Sequence, residues 1–296
     1  MIMSIIGFYI FYGLNWVITL LPLRVLYFFS GFFFFILYYF PSYRRNIVAT
    51  NLRNSFPEKS ARELEIIEKK FYWHLSDLII EILKLTHMSK AQSMNHMKII
   101  NYELFENLYK DGRDIVAIIG HYNNWEWLKS LIYHTTYQAV SIYKPLQNRL
   151  FDQFILKLRE RGGMILTPMS HIVREILEAR KKDRRSIYSF ITDQTPPKGD
   201  IKYWTTFLNQ DTPVYLGAGK IASKYDMAVV FFNVKKVRRG FYTYTAELLF
   251  EHTAGLPEHI ITEKHIRRLE EIIRENPEYW IWSHRRWKHK GPVENE

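Results

Sequence analysis

Two uncharged stretches open the chain, Ile2 to Leu23 and Val25 to Phe40, separated by Arg24 and with Phe32 to Phe35 unbroken in the second. A helix of about 20 apolar residues crosses a bilayer. The first stretch therefore reads as a spanning segment, and the second, closed by Pro41, as a borderline span or hairpin. Beyond them the period changes. Ile66, Ile67, Phe71, Leu75, Leu78, Ile79 and Ile82 recur at steps of three and four, which predicts a helix from Ser60 to about Lys84. Ser60 followed by Glu63 matches a capping box at its start. Ile99 to Leu108 fits neither period. Short apolar runs then predict strands at Ile115–Ile119, Ala139–Tyr143, Met164–Thr167, Ile187–Thr192 and Met227–Val234. Helical stretches fall between several of them, near Trp125–Tyr133, Leu150–Arg161 and Ile172–Lys182. Phe241–Phe250 alternates as a more exposed strand, and a last helix is expected over Thr262–Arg274. Nearly all-apolar strands separated by helices predict an α/β fold, a mixed and largely parallel sheet flanked by helices. The expected organisation is an N-terminal hydrophobic membrane anchor, residues 1–42, followed by one domain, residues 43–296.

Composition sharpens this picture. The 296 residues carry 41 Lys and Arg against 30 Asp and Glu, a formal charge of +11, and aromatics make up 16% of the chain. A positive excess seeks an anionic partner, and aromatic side chains gather at bilayer interfaces, so an anionic membrane surface is the expected partner. Arg44, Arg45 and Arg53 follow the apolar stretches. By the positive-inside bias they place the anchor in the cell inner membrane with the bulk of the chain on the cytoplasmic side. A cleavable signal peptide fits less well, having no basic n-region and no small-residue cleavage site. A buried hairpin is the other reading. Absence of cysteine removes disulfides, thiolate nucleophiles and Cys-based zinc sites.

The candidate chemistry lies in Gly120-His121-Tyr122-Asn123-Asn124-Trp125-Glu126, directly after the predicted strand Ile115–Ile119. In open α/β sheets, ligands bind beyond the carboxyl ends of the strands. If Asn123 or Asn124 caps a helix whose first turn holds Glu126, that carboxylate reaches one imidazole nitrogen of His121 and leaves the other as a base.

These residues carry a resemblance. His121-x4-Glu126 resembles the signature of the glycerolipid acyltransferase superfamily. Within it, His121 to Glu126, Tyr143-Lys144-Pro145, Asp193-Gln194 and Trp282-Ser283-His284-Arg285-Arg286-Trp287-Lys288 resemble, in order, four blocks of the bacterial lipid A biosynthesis branch, the late or secondary acyltransferases. Two departures stand out: Lys144 replaces the usual arginine, and the segment after Gln194 matches only loosely.

The resemblance implies transfer of a fatty acyl group from the thioester of an acyl carrier protein or acyl-CoA to a hydroxyl of a lipid A precursor. His121 is then the general base and Glu126 its orienting acid, with no cofactor and no metal. A lysophospholipid or aminolipid acceptor is the enzymatic alternative, and a membrane-associated binding protein the non-enzymatic one. Asn124, Lys144, Arg149, Arg161, Asp193, Gln194 and Arg285 are the candidate substrate-binding residues, with Lys198 a further basic candidate; the arginines suit phosphate because their planar guanidinium groups match two oxygens at once. The aromatic and basic block Trp280 to Lys290 also has the composition of a nucleic-acid surface, but the N-terminal stretches favour a lipid setting, and no nucleic acid is expected.

Overall fold

The computed structural model describes residues 2–40, 43–146 and 148–289. Pro41, expected to close the second apolar stretch, and Lys290 of the closing block lie outside the described residues. The chain begins with helices α1 (Ile2–Ile18), α2 (Leu23–Tyr39), α3 (Arg45–Ser55), α4 (Ala61–Lys84) and α5 (Lys90–His96). Strand β1 (Met97–Ile99) and helix α6 (Glu103–Lys110) resolve the ambiguous stretch into two short elements. Then follow β2 (Ile115–Ile119), a run of 3-10 turns (Trp125–Tyr133), β3 (Gln138–Tyr143), α7 (Arg149–Glu160), β4 (Ile165–Pro168), α8 (Ile172–Lys181) and β5 (Ser186–Ile191). A small hairpin, β6 (Trp204–Phe207) and β7 (Gln210–Pro213), precedes α9 (Gly217–Tyr225), the long strands β8 (Ala228–Arg238) and β9 (Phe241–Phe250), and α10 (Glu258–Glu275).

Seven strands form one sheet in the order β1-β9-β8-β2-β5-β3-β4. Every neighbouring pair is parallel except β8 with β9, which pair antiparallel as a hairpin. The sheet is therefore mixed and largely parallel, as the sequence pattern implies. Strand β2 lies at its centre with all five residues buried. Its period of two splits the core: Val116 and Ile118 face one cluster with α4, α8, α9 and α10, while Ile115, Ala117 and Ile119 face another with α6, α7 and the 3-10 run. The predicted capping box of α4 is formed, with Ser60 N donating to Glu63 Oε2 at 2.8 Å and Ser60 Oγ accepting from Glu63 N. The pattern did not predict α3, α5, the β6–β7 hairpin or α9. The hairpin turns on Leu208 and Asn209, both with positive φ, and Leu208 carries no turn signature.

The expected membrane anchor is overturned. Among the described residues, no helix is long and apolar enough to cross a membrane. The helix of the first stretch ends at Ile18, and a second helix begins after Pro22, so each of the two stretches forms a helix of only 17 residues. At 1.5 Å per residue each reaches about 25 Å, short of the roughly 30 Å hydrocarbon core. The transmembrane helix, and with it the assignment to the inner membrane with a cytoplasmic catalytic side, is withdrawn on this finding. The α2 helix instead lays Leu26, Ser30, Phe34 and Tyr38 against the domain. Phe34 packs on Trp73 of α4 with ring centroids 4.8 Å apart. From α1, Phe8 and Phe11 meet Phe151 and Phe154 of α7. Lys84 of α4 donates to Thr19 O at 2.6 Å and to Leu21 O at 2.9 Å, satisfying carbonyls that the end of α1 leaves free.

Candidate active site

The site grows from the register of two neighbouring strands. Ile119 at the end of β2 pairs with Ile191 at the end of β5, so the residues two positions further along each strand, His121 and Asp193, emerge side by side. His121 N donates to Asp193 Oδ2 at 2.7 Å, and His121 Nδ1 lies 2.6 Å from Asp193 Oδ1. Trp280 Nε1 donates to the same carboxylate at 2.8 Å. Gly120 packs closely against α10: a Cβ there would meet Leu269 Cδ1 at 2.7 Å.

Asp193 is fully buried, whereas the His121 side chain keeps 15% of its exposure. Burial pushes the Asp193 carboxyl up, but the His121 ring and the hydrogen bonds from His121 and Trp280 outweigh it and bring the pKa down to about 2. An ionised Asp193 accepts, so Nδ1 of His121 carries the proton and Nε2 keeps its lone pair. Gln194 Nε2 lies 3.2 Å from that Nε2. Trp125 stands edge-on to the imidazole at 4.8 Å.

Glu126 takes a different partner from the one its spacing suggested. Its carboxylate accepts from Arg159 of α7, through Nε at 3.0 Å and through Nη2. Burial raises the Glu126 carboxyl, and the charge and hydrogen bonds of Arg159 more than offset this, with His121 adding to the lowering. The helix expected at Trp125–Tyr133 forms as 3-10 turns, and Asn124 caps it: Asn124 Oδ1 accepts from Trp127 N at 3.1 Å. Asn123 precedes it with φ 54, its own N–H donating to Tyr279 O at 2.9 Å. Beneath these turns lies a cavity of about 50 Å³, with Ile119, Leu128, Met164, Ile191 and Phe232 among its lining and the Glu126–Arg159 pair on its wall.

The remaining sequence candidates scatter around this centre. Lys144 is exposed just beyond the carboxyl end of β3, and Arg149 is exposed at the first turn of α7. Arg161 donates to Thr86 O. Lys198 and Arg285 are exposed, and Arg285 O accepts from Thr195 Oγ1 at 3.3 Å. Nothing in the spacing pointed to Trp280 as the second holder of Asp193, or to Arg159, far along the chain from Glu126. Two further neighbours come from the closing block. His284 Nε2 accepts from Thr195 N at 3.2 Å, and burial drives its pKa down to about 4. Arg286 is buried, and its pKa falls to about 10, desolvation outweighing the attraction of Asp193 and Tyr215. The crowding of aromatic and basic residues in that block was the available signal for both.

The arrangement is an imidazole with one nitrogen locked to a buried carboxylate and the other free to take a proton. The profile described as "Bacterial lipid A biosynthesis acyltransferase" matches residues 1–289. No curated protein matches the chain significantly. A match over nearly the whole length shows the family: this chain belongs to the bacterial lipid A biosynthesis acyltransferases and transfers an acyl group to a lipid A precursor.

Proposed function

We propose that His121 Nε2 is the general base that deprotonates a hydroxyl of the lipid A precursor as its oxygen attacks an acyl thioester. Support for this comes from the tautomer: Asp193 Oδ1 at 2.6 Å from Nδ1 leaves Nε2 as the basic nitrogen. A neutral hydroxyl is a poor nucleophile, so its proton passes to Nε2 as the new C–O bond forms. The tetrahedral intermediate then collapses, the C–S bond breaks, and the departing thiolate takes the proton from the imidazolium. Asp193 and Glu126 both place negative charge near the ring that becomes positive, which lowers the cost of that step. Asp193 acts in contact, and Glu126 from within its pair with Arg159.

Gln194 N–H points at the same Nε2, so the acceptor hydroxyl must displace this amide to reach the base. The apolar cavity under the 3-10 turns suits the carbons next to the thioester carbonyl. Lys144, Arg149 and Arg285, exposed around the carboxyl ends of the strands, suit phosphates of the acceptor or of the donor's phosphopantetheine arm. With a net charge of +11, an acidic acyl carrier protein is the favoured donor and anionic acyl-CoA the other.

The test is His121→Ala in the full chain, assayed with purified lipid A precursor and acyl carrier protein carrying a fatty acyl group. General-base removal should cost roughly 10²- to 10⁴-fold in kcat, with a melting temperature close to wild type. Retention of the wild-type rate would remove His121 from the reaction.

A further inference from the structure

One buried carboxylate outside the chemistry gathers donors from three separate parts of the fold. Glu81 of α4 is wholly buried. Its Oε1 accepts from Tyr27 of α2 at 2.6 Å, and its Oε2 from Tyr242 of β9 at 2.8 Å and from Asn124 Nδ2 at 2.7 Å. Its backbone oxygen accepts from Trp127 Nε1 at 3.1 Å. One turn earlier on α4, buried Asp77 holds Ser30 of α2 at 2.8 Å and Arg239 at 2.6 Å. Removing a carboxylate from water costs several kcal/mol unless its bonds are well made, and apolar residues often fill such space as stably. The identity of the partners shows where this residue acts, because one of the three carboxylate contacts is to Asn124 and the backbone oxygen holds Trp127, both in the turn that carries Trp125 and Glu126.

That turn is weak on its own. Runs of 3-10 helix longer than three or four residues are uncommon because their hydrogen bonds are poorly aligned, yet this one covers nine residues. It also follows Asn123 in the left-handed region, a conformation of raised backbone energy. A segment of this kind keeps one geometry only when its surroundings impose it.

We propose that Glu81 is a positioning residue for acyl transfer, its carboxylate fixing through Asn124 the turn that sets Trp125 and Glu126 beside His121. Tyr27 makes α2 part of the same support, so the second N-terminal helix belongs to the working site. The proposal rests on the reading of His121 as the base. It goes beyond that reading in assigning a role to residues that touch no reactant.

Three variants of the full chain test it: Glu81→Leu, Glu81→Gln and Tyr242→Phe. Each is measured for kcat, KM, melting temperature and hydrogen exchange in residues 123–128. A displacement of about 1 Å at a reacting centre costs on the order of 10²-fold. Glu81→Leu should therefore lower kcat by roughly that factor, leave KM near wild type and speed exchange in 123–128 but not in β2 or β5. Glu81→Gln should recover most of the rate, since its amide oxygen accepts from Asn124 and its NH₂ donates to a tyrosine oxygen. If Glu81→Leu melts lower but turns over at the wild-type rate, or raises KM alone, the proposal is overturned. Should Glu81→Leu not fold, Tyr242→Phe decides. Loss of one hydrogen bond, about 1 kcal/mol, should lower kcat by about fivefold, and an unchanged kcat overturns the proposal. Absence of transfer by the wild-type protein would count against His121 as base instead. Exchange would still judge the positioning role, and unchanged protection in both Glu81→Leu and Tyr242→Phe would end it.

Discussion

The N-terminal helices and the central strand β2 both arise from uncharged apolar runs, and the structure uses them in opposite ways. In β2 every side chain is covered, two by one core cluster and three by the other. In α2 only one side is covered: Phe34 retains 8% exposure while Phe28 retains 83%. Apolar content by itself therefore says little about burial. What separates the regions is length without interruption and the number of faces a neighbour can cover. The five residues of β2 fit a parallel strand sandwiched by helices. The first N-terminal run looked long enough to cross a bilayer only when counted through the break at Thr19 to Pro22, which cuts its helix to the 17 residues Ile2–Ile18.

Substitutions at the two regions should differ accordingly. The largest effect on stability is expected where α7 meets the 3-10 turns that follow β2, since Arg159→Met strands the Glu126 carboxylate. Breaking one side of a buried ion pair costs about 3–5 kcal/mol, and chemical denaturation should show a loss near the lower end because both groups are slightly exposed. Next comes α2. Phe34→Ala should cost about 3 kcal/mol, whereas Phe28→Ala should stay within about 0.5 kcal/mol. Equal losses at these two positions would mean that α2 does not pack as described.

A smaller effect should appear in the acid range. The folded pKa of Asp193 is about 2 against a reference of 3.8. A depressed carboxyl adds stability that is present above the unfolded pKa and fades as pH falls through the folded one. This amounts to roughly 2 kcal/mol, lost between about pH 5 and pH 1. Denaturation of Asp193→Asn across that range should show a flatter acid limb than wild type. A limb of identical slope would show that Asp193 is not held ionised by His121 and Trp280.

Much of this was legible in the residue pattern, for physical reasons that also mark its limits. Strands β2 and β9 fall where period-two and all-apolar runs place them, and α4 starts at its capping box, because each of these signals is local. The 3-10 character of Trp125–Tyr133 and the β6–β7 hairpin carry no such signature. The site shows the same division. His121 was visible from its motif, and Asp193 and Gln194 from theirs. That Asp193 rather than Glu126 contacts the imidazole depends on the pairing of Ile119 with Ile191, a register between segments distant in the chain. No local period encodes that register. Glu126 and Arg159, or Glu81 and Asn124, are likewise brought together only by the packing of α7 and α4 on the sheet.

The most direct test of the central claim compares kcat of Asp193→Asn with wild type on the lipid A precursor. An amide in place of the carboxylate can stabilise the wrong imidazole tautomer, a change worth about 10⁴-fold in a comparable histidine–carboxylate pair. The account predicts a loss of at least about 10²-fold with KM little changed. A rate close to wild type would contradict it, leaving His121 without the partner that makes Nε2 its base.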